Sequence, residues 1–146
     1  MKGGELRKVL IAISDMAIIN KQFEPFNLLK NALKNNGVKL FKSKNGLCPD
    51  FSKTPKYLAK GKVIEGGNIV KIKITPGKRN IDIRNAWKKS NFNKIDFKDY
   101  TWHHIDDYNP ITEECTMQLV ERQIHEWSYP HTGAVAQLLK YLEIFN

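Results

Sequence analysis

Four histidines, His103, His104, His125 and His131, all fall within the last 44 residues of a 146-residue chain. Imidazole suits two tasks. Its unperturbed pKa of about 6.5 lets the neutral ring take a proton from water near pH 7, and its nitrogens hold divalent metals. Hydrolysis of a phosphodiester needs both: a water made nucleophilic, and a cation that offsets charge on the leaving oxygen. Neighbouring residues on a strand point to opposite faces, so His103 and His104 suit different jobs, one turned to a metal and the other to the water. Residue types alone leave three readings open. These are a metal-dependent hydrolase, a zinc-stapled nucleic-acid-binding module without catalysis, and a packed strand end whose histidines do no chemistry.

The elements needed to position these side chains are legible around them. Tyr100 to Ile105 is aromatic and β-branched and reads as a strand, with Trp102 packed beneath it. Asp106 to Pro110 reads as a loop, and Thr116 to Val120 as a returning strand with Met117 and Leu119 on one face. Glu121 to Trp127 reads as a short helix carrying His125, and Thr132-Gly133 opens a closing helix from Ala134 to Phe145. Asp106 and Asp107 are candidate partners that fix a histidine tautomer, although loop polarity explains them equally well. Gln118 is a candidate for orienting a histidine or bonding a phosphate.

Upstream, residues 5 to 20 and 24 to 36 read as amphipathic helices, and 39 to 61 as irregular chain. Cys48-Pro49-Asp50-Phe51 suggests no chemistry. Val63-Ile64-Glu65 and Ile69 to Ile74 flank Gly66-Gly67, a hairpin signal. Asp82 to Phe92 reads as a helix whose Arg84 and Lys88 are candidate phosphate contacts, as is Arg122 further on. The expected fold is α+β: N-terminal helices and a β-hairpin packed on a C-terminal strand–loop–strand–helix module. One domain is expected, with a helical and irregular part (1–62), a basic hairpin and helix (63–99) and the histidine module (100–146).

The chain carries 24 Lys and Arg against 15 Asp and Glu, a formal charge of +9. That balance favours a polyanionic partner, nucleic acid before others. The apolar run from Val9 to Ile19 is too short for a membrane span and lacks a small-residue cleavage site, so no membrane association or signal peptide is expected. Cys48 and Cys115 sit in no metal or redox spacing and are expected to be free thiols.

Tyr100-Thr101-Trp102-His103-His104, Thr116 to Val120, His125 and Pro130-His131-Thr132-Gly133-Ala134 together resemble the WHH nucleases. These are a branch of the HNH/endonuclease VII (His-Me finger) superfamily, found at the C-termini of bacterial polymorphic toxins. The resemblance implies a ββα-metal module that cleaves DNA with one divalent ion (Mg, Mn, Zn or Ni). It assigns His104 as general base and His103, His125 and His131 as metal ligands. It also implies delivery into a target bacterial cell, action in its cytoplasm as a monomer, and neutralisation by an immunity protein, acidic to match this basic chain. A metal-independent ribonuclease is the alternative within the toxin class. In colicin-type sites the two later histidines stand four apart on one helix. Here the step is six residues, about 240° of helical rotation, with Pro130 inside it. His125 and His131 therefore converge only if the chain bends after Trp127; otherwise His131 would contact phosphate from the start of the final helix.

Overall fold

The computed structural model describes residues 26, 28–129 and 131–145. The helix expected over 5 to 20 lies outside these residues, as does the start of the one expected over 24 to 36. Of the latter, Lys30–Asn35 (α1) forms the described part. Gly37 ends it at φ 65°, donating its N–H to the Lys34 carbonyl. Residues 39 to 61 are irregular as expected, apart from three short 3-10 turns at Phe51–Lys53, Pro55–Tyr57 and Ala59–Gly61.

Three antiparallel strands, β1 (Ile69–Lys73), β2 (Tyr100–His104) and β3 (Glu114–Glu121), form a sheet in the order β1-β3-β2. With its helices this makes the protein α+β. The hairpin expected around Gly66-Gly67 is not what forms: β1 pairs with β3, Val70 opposite Met117 and Ile72 opposite Cys115. Asn68 accounts for the difference. Its buried amide donates to the Ala59 and Lys62 carbonyls and accepts from the Ile64 N–H, so 59–68 is tied as a loop and 63–65 cannot lie along β1 as a strand.

Period-two alternation divides the sheet into two faces. On one, Val70, Ile72, Trp102, Cys115, Met117 and Leu119 form the main core. Helix α2 (Arg79–Ser90) lies against it, with Ala86 buried and Trp87 packed edge-on to Trp102. Helix α4 (Ala134–Phe145) adds Ala134 and Leu138. On the other face Ile69 and Val120 pack with Phe51, Leu58 and Ile124, the last from α3 (Arg122–Trp127). Helix α2 begins three residues earlier than the sequence suggests, because the Thr75–Lys78 turn through Pro76 and Gly77 leads straight into it. Both cysteines are buried free thiols, and burial pushes both well above the ordinary thiol range. No described helix is long and apolar enough to cross a membrane.

Candidate active site

Strand β2 gives His103 and His104 opposite sides of the sheet. His103 stands directly across from Gln118, on the face that carries Phe51 and α3; His104 stands across from Met117, on the face under α2. Helix α3 follows β3 without a break and presents His125 from its last turn. The chain then leaves the helix at Ser128. His131 is brought back by the segment after it: Thr132 donates its N–H to the Leu47 carbonyl and Ala134 to the Ile105 carbonyl. Gly133 lies so close to β2 that a Cβ there would sit 2.5 Å from the His104 carbonyl oxygen. The bend expected after Trp127 is present, and the six-residue step no longer separates the rings.

His103, His125 and His131 converge, one nitrogen from each lying within 4.8 Å of the others. All three are buried. A carbonyl can only accept, so His103 Nε2, 2.9 Å from the Pro49 carbonyl oxygen, carries the proton and Nδ1 the lone pair. That Nδ1 is 3.1 Å from His125 Nε2. By the same rule His131 Nδ1, beside Ser128 Oγ at 3.0 Å and the Ser128 carbonyl at 3.3 Å, is the protonated nitrogen and Nε2 the ligand atom. Two nitrogens bonded at about 2.0–2.1 Å to one tetrahedral ion lie about 3.3 Å apart, so the His103–His125 pair has the spacing a metal needs. Burial drives the His103 pKa well below the ordinary value, with the charge of His131 adding to it, and lowers His131 to about 4. His103 and His131 are thus neutral ligands at pH 7. Arg79, in the first turn of α2, contributes to both shifts, so its charge lies close to the cluster.

His104 is not part of this group. Its Nε2 lies 3.6 Å from Asp82 Oδ2, on α2. A four-histidine zinc staple is therefore not what the chain builds; three imidazoles converge and leave coordination positions to be filled from elsewhere, the pattern of a catalytic centre.

The other expected residues divide. Asp106 does not touch a histidine: its buried carboxylate accepts from Ser43 Oγ and the Leu47 N–H, fixing the 43–49 loop that supplies the Leu47 and Pro49 carbonyls. Asp107 caps Thr116 instead, through the N–H and hydroxyl. Gln118 is spent on structure, with Oε1 accepting from the Phe51 N–H and Nε2 donating to Asp50, so both ends of its buried amide are committed. Arg84 and Lys88 are exposed on α2, and Arg84 lies about 200° round the helix from Asp82, away from the histidines. Arg122 donates to the Lys98 and Tyr100 carbonyls and lines a cleft of about 880 Å³ that reaches His125, together with Lys98, Tyr100 and Trp127. Sequence reasoning missed Pro49, Ser128, Arg79 and Asp82. Only the last two carried a signal, as charged residues entering the basic helix.

Residues 92–141 match a family described as a nuclease of the HNH/ENDO VII superfamily with conserved WHH. This segment carries the WHH nuclease signature. The three residues that name the family are Trp102, His103 and His104, and the matched segment holds all four histidines, strands β2 and β3, and α3. No curated protein and no solved structure matches the chain. Members of this family are nucleases, hydrolases acting on phosphodiester bonds.

Proposed function

We propose that the protein is a metal-dependent endonuclease acting on DNA. The observation that carries this reading is the buried convergence of His103 Nδ1, His125 Nε2 and His131 within 4.8 Å, with the first tautomer fixed by Pro49. These three residues would hold one divalent ion (Mg, Mn, Zn or Ni), which when bound stabilises negative charge on the phosphate and the departing oxygen. His104 acts as general base, taking a proton from water as the water oxygen bonds to phosphorus and the P–O bond to the leaving oxygen breaks. Arg79 is a better placed phosphate contact than Arg84 or Lys88, and Arg122 and Lys98 flank the cleft by which a strand reaches His125. Because α2 and the 43–49 loop both reach the histidines, we treat the chain as one nuclease domain.

The net charge of +9 fits a polyanionic substrate and an acidic immunity protein as the neutralising partner. In this reading the domain is the toxic part of an antibacterial effector, delivered into a target bacterium and active in its cytoplasm as a monomer. The test is His104→Ala. The purified variant should keep its fold and metal affinity and lose plasmid cleavage by about 10²–10⁴-fold. Cleavage at the parental rate would remove His104 from the base role.

A further inference from the structure

Asp82 is 1% exposed, and neither of its carboxylate oxygens accepts a hydrogen bond among the described residues. A buried carboxylate without partners is costly, and such groups in folded proteins call for a specific explanation. Facing it is His104, whose Nε2 lies 3.6 Å from Oδ2, and the buried Cys115 thiol lies near it as well. Asp82 sits in the first turn of α2, outside the segment that matches the WHH family, so α2 supplies it to the histidine module from elsewhere in the chain. Its place is well fixed: Ala86, one turn on, is fully buried in the main core, and Trp87 packs edge-on to Trp102, two residues before His104.

We infer that Asp82 is a positioning residue for His104, forming with it an acid–histidine pair that is completed by the second strand face. The inference rests on the reading of His104 as general base. Nε2 and the carboxylate meet at 3.6 Å, a charge contact and not a hydrogen bond, and this contact favours the tautomer with the proton on Nε2, which assigns the water's proton to Nδ1. The carboxylate keeps the ring in that tautomer and stabilises the imidazolium formed when the water's proton arrives; it does not take up the proton itself. Here the orienting group is a carboxylate carried on a separate helix. The placement of α2 therefore sets the efficiency of the base.

The test compares plasmid cleavage by the parent protein, Asp82→Asn, Asp82→Glu, His104→Ala and the Asp82→Asn/His104→Ala double variant. Each is assayed with whichever of Mg²⁺, Mn²⁺, Zn²⁺ or Ni²⁺ supports most cleavage. Asp82→Asn should lower kcat by at least tenfold with KM and metal affinity unchanged, Asp82→Glu should recover part of the loss, and the double variant should be no slower than His104→Ala. If Asp82→Asn keeps the parental kcat while His104→Ala is inactive, the inference falls and the base reading stands. If His104→Ala cleaves at the parental rate, the base reading itself falls. Should Asp82→Asn fail to fold, ¹⁵N chemical shifts of His104 in the parent protein decide: the proton is expected on Nε2, and a proton on Nδ1 overturns the pairing.

Discussion

His103 Nδ1 stands 3.1 Å from His125 Nε2, and this contact joins a strand to a helix 22 residues further along. The Pro49 carbonyl fixes it from behind by holding the proton of His103 on Nε2. Replacing either histidine with Ala should weaken divalent-metal binding by more than the roughly 10–100-fold that loss of an outer hydrogen-bond partner costs. Competition against a chromogenic chelator measures this directly, and parental affinity in both variants would show that the rings do not hold the ion.

Gly133 is where the His131 segment presses on β2. A methyl group added there meets the His104 carbonyl at 2.5 Å, and that neighbour is backbone that cannot swing aside. Gly133→Ala should cost about 1–3 kcal/mol in urea unfolding and weaken metal binding by displacing His131. Unchanged stability and affinity would mean that this approach does not set the ligand position.

Gln118 shows how a residue in the right place can have a different job. Its amide ties the Phe51 N–H and Asp50 to β3, so Gln118→Leu should destabilise the fold by about 1–3 kcal/mol through the unmet Phe51 N–H. At temperatures where the variant stays folded, the salt dependence of DNA binding should match the parent, since no phosphate contact is lost. A reduced salt slope would restore it as a phosphate ligand.

Much of this site was legible because its signals are local. Strand alternation separated His103 from His104, and the helical period placed His125 and the closing helix. Partners far apart in sequence were not legible. The Pro49 carbonyl reaches His103 across 54 residues as a backbone group, and no side-chain type announces such a contact. Arg84 and Lys88 lie on the exposed side of α2, and the charge of Arg79 lies nearer the histidines. The buried positions of that helix, Asp82, Ala86 and Ser90, are small or polar, so its apolar stripe is too weak to show which side packs. The Gly66-Gly67 hairpin signal was overridden by the three hydrogen bonds of Asn68.

Protonation should unfold the metal-free protein early. Burial holds His131 at about 4 and His103 well below its ordinary value, whereas both titrate near about 6.5 in the unfolded chain. Between those values the unfolded state binds more protons, so this contribution to stability is complete above about 6.5 and is lost as pH falls towards about 4. Urea midpoints of the metal-free protein should therefore drop across that window. A flat profile would mean that the rings are not buried as described.

Arg79 and Arg84 separate the two sides of α2. Arg79→Ala should weaken DNA cleavage by raising KM, while Arg84→Ala should cleave at the parental rate at moderate salt, because only the first lies near the histidine cluster. Equal losses would point to general charge attraction and against a placed contact.

The most direct measurement of the central claim is plasmid cleavage by the purified protein before EDTA, after EDTA, and after Mg²⁺, Mn²⁺, Zn²⁺ or Ni²⁺ is restored, with circular dichroism recorded at each stage. Cleavage should stop in EDTA while the fold persists, and return with at least one of these ions. Undiminished cleavage in EDTA would contradict a metal centre at His103, His125 and His131.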